Sequence, residues 1–408
     1  MGTEASQTFE RTAEQTGYGS AVVAGVITSV VGFTSSFAVV LAGLRALGAT
    51  DDQAASGLLI LCVTMGLGSI LFSWRLKMPM TMAWSTPGAA LLASSTVPAG
   101  GFGAAVSAFA LTGILIALCG LIKPLGAAVS AIPAALANAM LAGVLLTLCV
   151  EPFKALAVSP AAIAPVLLSW LILMRVARRW AVPGALAVAV VVIWVSGSFD
   201  RLQGARLTPV ITVVAPAWDP TTILAIALPL FLVTMTSQNI PGMAVLSSFG
   251  YRPPLAPPLL YTGSATVLGA FGGAHAINLA AISAALAAGP GAHPDPRRRW
   301  VAGVTSGAVY LVIGPLSALV AAVSQAAPAG IMASIAGLAL IGIFASAAGS
   351  ALADGTHREA AAITFLVAAS GVAFGGIGAA CWGLLAGAAY LLVLQARPRT
   401  RRTPATDG

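Results

Sequence analysis

The chain has 408 residues, 58% hydrophobic and only 8% charged, with a formal net charge of +8. A soluble domain carries about 25% charged residues, so this composition excludes a water-soluble protein and indicates a polytopic membrane protein with small extramembrane parts. The basic residues punctuate apolar runs instead of forming a patch, which argues for the lipid bilayer and against nucleic acid as a partner.

Residues 1–19 are polar and read as a cytoplasmic N-terminal segment without a cleavable signal peptide. Breaks in hydrophobicity then predict fourteen spans. Those of the first half are 20–44, 53–73, 80–97, 104–122, 132–150, 161–176 and 182–198. An outer linker, 199–220, leads to the second half: 221–246, 255–271, 274–288, 301–323, 331–352, 360–373 and 377–394. A basic tail, 397–408, closes the chain. With the N-terminus inside, only Arg45, Lys154, Arg201 and Arg206 of the 20 Lys and Arg fall in outer segments. That asymmetry places both termini in the cytoplasm, and Trp74, Trp180 and Trp300 each adjoin an arginine at the inner interface. The 44 glycines and 25 prolines fit closely packed and broken helices. The four cysteines all lie in apolar runs with no CxxC pair, so neither disulfides nor a metal site is expected, and no cofactor.

Polar interruptions recur about half a chain apart. Thr34-Ser35-Ser36 in the first span matches Thr236-Ser237-Gln238 in the eighth, and Trp84-Ser85-Thr86-Pro87 in the third matches Ala274-His275-Ala276-Ile277 in the tenth. Seven is odd, so the second copy enters the membrane upside down. The expected fold is all-α, with 14 transmembrane segments as a 7+7 inverted repeat and short broken helices in spans 3 and 10.

The most informative stretch is 221–249, which holds no charged residue yet contains Thr236, Ser237, Gln238 and Asn239 followed by Pro241 and Gly242. Hydrocarbon satisfies neither side-chain amides nor the backbone groups a proline frees, so such residues at membrane depth mark a site enclosed by protein or water. The bland alternative is a kinked helix bonded to its neighbours. In span 3, Pro79 and Pro87 interrupt any continuous helix, and Pro87 suits the first turn of a half-helix over 88–94. In span 10, Gly272 and Gly273 precede a half-helix expected to start at 274–277. Two helix N-termini facing one another would form an anion pocket.

All twelve acidic residues fall at termini, loops or span ends, none inside spans 1, 3, 8 or 10. A site for a cation would present a carboxylate, so the expected ligand is a small anion with an uncharged or apolar remainder. The candidate substrate-binding residues are Gln238, Asn239, His275 and Asn278, with Ser85 and Thr86 on the facing half-helix. Ser35, Ser36 and Thr236 complete the set. His275 alone among them titrates near physiological pH and is the candidate proton-coupling group. The rival carriers are the substrate itself, Glu151 or Asp354. His293 and His357 read as solvated loop residues, while Phe33, Trp84 and Phe271 flank the polar positions and are placed to stack on an aromatic ring, to face lipid or to serve as core.

The run TMTSQNIPGMAVLSSFGYRPP, with GAFGGAHAINLAAISAAL after it, resembles the benzoate/proton symporter (BenE-type) family, related to the uracil-permease fold. The later run GLALIGIFASAAGSAL fits as well, and the likeness covers 18–394. The resemblance implies a secondary active transporter that imports benzoate or a similar aromatic carboxylate with protons across a bacterial inner membrane. It also implies a core domain, 20–122 and 221–323, and a gate domain, 123–198 and 324–396, with substrate held between spans 3 and 10 beside span 8. Nucleobase members of that fold have glutamates in spans 8 and 10, where this chain has Gln238-Asn239 and His275 with Asn278. The alternatives kept open are another small anion or a nucleobase as cargo, and a passive anion channel. No HExxH, GxSxG or paired intramembrane carboxylates appear, which argues against an enzyme. A homodimer is left open.

Overall fold

The computed structural model describes residues 17–122, 124–126, 133–202, 206–281, 283–353, 355–374 and 377–395. Lys123, Asp354, the first sixteen residues and the basic tail from Arg397 lie outside them. The helices of the first half are α1 (Gly19–Thr34), α2 (Phe37–Ala46), α3 (Asp51–Leu76), α4 (Thr86–Ala93), α5 (Gly101–Leu121), α6 (Ala134–Val158), α7 (Pro160–Val176) and α8 (Ala181–Val195). Those of the second are α9 (Pro220–Thr234), α10 (Ile240–Ser248), α11 (Ala256–Ala270), α12 (Ala284–Ala288), α13 (Trp300–Ile313), α14 (Ser317–Ala326), α15 (Ile331–Ala353), α16 (Arg358–Ala369) and α17 (Ala379–Gln395). Among the described residues, eight helical stretches are long and apolar enough to cross a membrane.

Local chemistry sets the ends of these helices. Thr50 caps α3 in a reciprocal capping box with Gln53, and Asp51 and Asp52 occupy its positive first turn. The helix stops at Lys77, whose backbone is left-handed at φ 53°. The Lys77 ammonium then sits 3.8 Å from the centroid of the Trp300 ring, tying the end of α3 to the start of α13.

The helices pack in two sets. In one, α1, α3 and α13 associate, α2 lies on α4, and α5 lies on α9 and α11; in the other, α6 packs on α15 and α16, α16 on α17, and α7 on α8. Glycines permit the closest approaches. A Cβ on Gly307 would lie 2.4 Å from the Gly66 carbonyl oxygen, and one on Gly263 would lie 2.5 Å from the Ala117 nitrogen.

The fold is all-helical apart from two three-residue strands that pair within the broken segments. β1 (Met82–Trp84) pairs antiparallel with β2 (Ile277–Leu279), in the register Met82↔Leu279, Ala83↔Asn278 and Trp84↔Ile277. The half-helix expected from 274–277 is therefore a strand, and the helical part of span 10 is only the five-residue α12. The physical reason is hydrogen bonding, because extended backbone survives at such a depth only where every group finds a partner. Ser85 N–H donates to the Ala276 carbonyl at 2.9 Å, and Ala280 N–H to the Thr81 carbonyl at 3.0 Å. Side chains supply the remaining acceptors: Ser69 Oγ for Met82 N–H at 2.8 Å, and Thr266 Oγ1 for Ile277 N–H at 3.1 Å.

The other two interruptions differ from each other. Ser36, at φ −149°, separates α1 from α2. Between α9 and α10 the chain stays helical but widens into a π-turn over Met235–Asn239, with Pro241 following in the first turn of α10. The linker over 206–219 lies as a strap across the helix ends. Thr212 N–H donates to Ser56 Oγ at 3.0 Å, Val214 N–H to the Phe271 carbonyl at 2.7 Å, and Ala217 N–H to the Gly103 carbonyl at 3.0 Å.

Candidate functional site

The strand pair, the start of α4 and the π-turn converge on one buried polar group. Ser85 is the N-cap of α4: its Oγ accepts from Gly88 N–H at 3.2 Å, with Pro87 in the first turn. Thr234 Oγ1, at the end of α9, donates to the same Oγ at 2.9 Å. Asn239 Oδ1 accepts from Leu279 N–H at 3.0 Å, and its Nδ2 donates to Met235 Sδ at 3.3 Å. In the amide orientation its neighbours satisfy, the Asn278 oxygen accepts from Ser85 N–H at 3.0 Å and its nitrogen donates to the Leu279 carbonyl at 2.8 Å. Gln238 stands beside Asn239 in the π-turn, 6% exposed, and no hydrogen bond reaches its amide among the described residues. Ser85 is thus bonded to Asn278, and Asn239 to the adjoining Leu279 backbone, although nearly half the chain separates Ser85 from β2.

His275 is enclosed in the extended segment ahead of β2, and neither ring nitrogen has a hydrogen-bond partner among the described residues. Its ring lies edge-on to Phe109 of α5, with centroids 6.5 Å apart. An aromatic cluster flanks the other side of β1: Phe33 meets Trp84 at 5.7 Å and Phe37 at 5.4 Å, and Trp84 meets Tyr310 at 6.4 Å. Trp84 Nε1 donates to Ser36 Oγ at 2.8 Å, which links the break in span 1 to β1. Phe271 is 38% exposed and makes no ring contact with this cluster.

The remaining candidates are committed locally. Ser35 Oγ donates to the Gly32 carbonyl at 3.0 Å and Thr236 Oγ1 to the Leu232 carbonyl at 2.8 Å, ordinary back-bonds within a helix. Thr86 opens α4 half-buried. His293 corrects a further expectation, since it is buried, not solvated. Its Nδ1 accepts from Asp295 N–H at 3.0 Å, and its carbonyl accepts from Arg299 Nε at 2.7 Å. Thr234 and Thr266 were missing from the sequence-based set. Thr234 opens the same TMTSQN run that drew attention to Gln238, whereas Thr266 carries no local signal.

What the group offers is chiefly donors: the Ser85 hydroxyl, the Gln238 amide, and an Asn239 NH2 resting on a thioether, itself a weak acceptor. Ser85 caps the positive end of α4, and no carboxylate stands among these residues, which suits an anionic ligand. Among the described residues, no three His, Cys, Asp or Glu side chains cluster to hold a metal. A cavity of about 380 Å³ lies elsewhere, lined in part by Asp51, Asp52, Arg206 and Gln325 and sharing no residue with this group.

Long apolar helices interrupted at a shared buried polar centre define a membrane transporter, not an enzyme. Residues 16–393 match the family described as benzoate membrane transport protein (BenE), and the chain belongs to it. It is 34% identical over 373 residues to the inner membrane protein YdcO of Escherichia coli K12, covering 91% of this chain and 95% of that one. It is 30% identical over 377 residues to the benzoate membrane transport protein of Acinetobacter baylyi, covering 92% and 95%. Among solved structures, SLC26A9 superposes with a TM-score of 0.63 at 13% identity, over 92% of this chain and 65% of that one. The transmembrane domain of the cyanobacterial bicarbonate transporter BicA superposes with a TM-score of 0.58 at 16% identity, over 91% and 97%. These two likenesses concern the fold.

Proposed function

We propose that the chain imports benzoate or a similar aromatic carboxylate with protons, by alternating access across the bacterial inner membrane. The observation that carries this reading is the donor-rich, carboxylate-free centre formed by Ser85, Thr234, Asn239 and Asn278, with Gln238 next to Asn239 in the π-turn and the Phe33–Trp84 pair at β1. The donors suit a carboxylate and the rings suit an aromatic body. The Acinetobacter relative, whose name specifies benzoate, and the E. coli relative, named as an inner membrane protein, favour this cargo and this membrane. In this reading the chain makes fourteen spans as two inverted sevens with both termini cytoplasmic. The two packing sets of helices support a division into core (20–122, 221–323) and gate (123–198, 324–396).

Importing one negative charge against an inside-negative potential costs about 2.3 kcal/mol per 100 mV, and one accompanying proton cancels that cost. His275 is the proposed carrier of that proton, its two ring nitrogens being uncommitted beside β2. Counterflow of labelled benzoate in proteoliposomes tests the proposal. A carrier accumulates label transiently against unlabelled benzoate inside, and equilibration without overshoot would indicate a channel and refute it.

A further inference from the structure

The Ser85 hydroxyl has an unusual set of partners. A serine hydroxyl carries one donor proton and two acceptor lone pairs. Here Gly88 N–H and Thr234 Oγ1 fill both acceptor positions, at 3.2 and 2.9 Å. The Ser85 N–H is shared between the Ala276 carbonyl at 2.9 Å and the Asn278 side-chain oxygen at 3.0 Å, and the Ser85 carbonyl accepts from Ala89 N–H at 2.7 Å. The hydroxyl proton alone has no acceptor among the described residues. Both Ser85 and Thr234 are fully buried, so water does not supply one freely.

Thr234 is held where it can do this. One turn before it, Leu230 of α9 packs so tightly on α4 that a Cβ on Gly88 would lie 2.4 Å from Leu230 Cδ1. β-branching also restricts the Thr234 side chain to few rotamers.

We infer that Thr234 is a specificity-determining positioning residue: by occupying the second lone pair of Ser85 it fixes that hydroxyl as a donor, so this point of the site takes a carboxylate oxygen and rejects an N–H. The inference rests on the carboxylate reading above. A neutral amide of the same shape, such as benzamide, would turn an N–H toward the Ser85 proton in one of its two orientations and lose the strong charge-assisted bond in both. An unpaired buried donor lowers affinity by about 5- to 150-fold.

The test compares benzoate and benzamide binding to the purified full chain by calorimetry. Wild type prefers benzoate. Thr234→Val removes the donor at near-constant volume and frees a Ser85 lone pair, so the benzoate-to-benzamide preference falls about tenfold; Thr234→Ser restores it. In a Ser85→Ala background, Thr234→Val changes the preference no further. An unchanged preference in Thr234→Val with benzoate binding retained overturns the inference and leaves the transport reading standing. Failure of wild type to bind benzoate overturns both, and is seen before any variant is made. Thr234→Ala carries the same arm if valine packs too poorly against Leu230 for the protein to fold.

Discussion

Asn239 offers a perturbation with two measurable consequences. Its Oδ1 receives Leu279 N–H at 3.0 Å in a site where both residues are at most 1% exposed, while its Nδ2 rests on Met235 Sδ. Asn239→Ala orphans the Leu279 N–H, and a buried unsatisfied donor costs about 1–3 kcal/mol. Asn239→Asp keeps an oxygen for that N–H but sets a carboxylate beside the proposed anion. Two like charges about 5 Å apart at an effective dielectric of about 20 repel by about 3 kcal/mol, a fall in affinity of roughly a hundredfold. Thermal unfolding in detergent and calorimetric titration with benzoate read the two effects. Asn239→Ala should unfold at a clearly lower temperature than wild type. Asn239→Asp buries a carboxylate with no counter-ion, so it too should be destabilised, and it should lose most of its benzoate affinity at neutral pH. An aspartate variant that binds benzoate as wild type does would refute the placement of Asn239 at the anion.

Gly263→Ala puts a Cβ 2.5 Å from the Ala117 nitrogen and 2.6 Å from the Gly113 carbonyl oxygen, so it should destabilise by about 1–3 kcal/mol, read as a lowered melting temperature beside an unchanged Gly342→Ala, which meets nothing within 4 Å. Asp219 caps α9 through Thr221 N–H, and hydrogen bonds from the Thr222 and then the Thr221 hydroxyl hold its carboxyl below the usual carboxylate range. A depressed folded-state value contributes stability above the unfolded value near pH 4 and loses it as the pH falls below, so Asp219→Asn should flatten the acid limb of a stability–pH profile. His275→Gln should abolish benzoate accumulation driven by an inward proton gradient in liposomes while counterflow persists; gradient-driven accumulation equal to wild type would remove His275 as the carrier.

The interruptions were legible because their chemistry is local. Pro87 announces the first turn of α4, and the consecutive polar residues from Thr236 to Asn239 announce an interruption, whose form, a π-turn, only the structure gives. The strand pair was not legible. Ile277, Asn278 and Leu279 carry no local preference strong enough to separate strand from half-helix, and what decides is a partner strand nearly half the chain away. The same holds for His275, whose position against Phe109 is a tertiary contact, and for His293, buried because Arg299 folds back onto its carbonyl.

The pairing of β1 with β2 also constrains how the protein is made. The partners of the extended segment that carries Thr81 and Ser85 include Ala276, Leu279 and Ala280, so these groups wait for about 200 further residues to be synthesised. At about 5–20 residues per second that delay is roughly 10–40 s, during which a newly inserted first half exposes unpaired backbone at membrane depth. Each half therefore serves as the template on which the other finishes folding. A ribosome stalled before residue 280 leaves a nascent chain in which the centre cannot close, a natural target for membrane quality control.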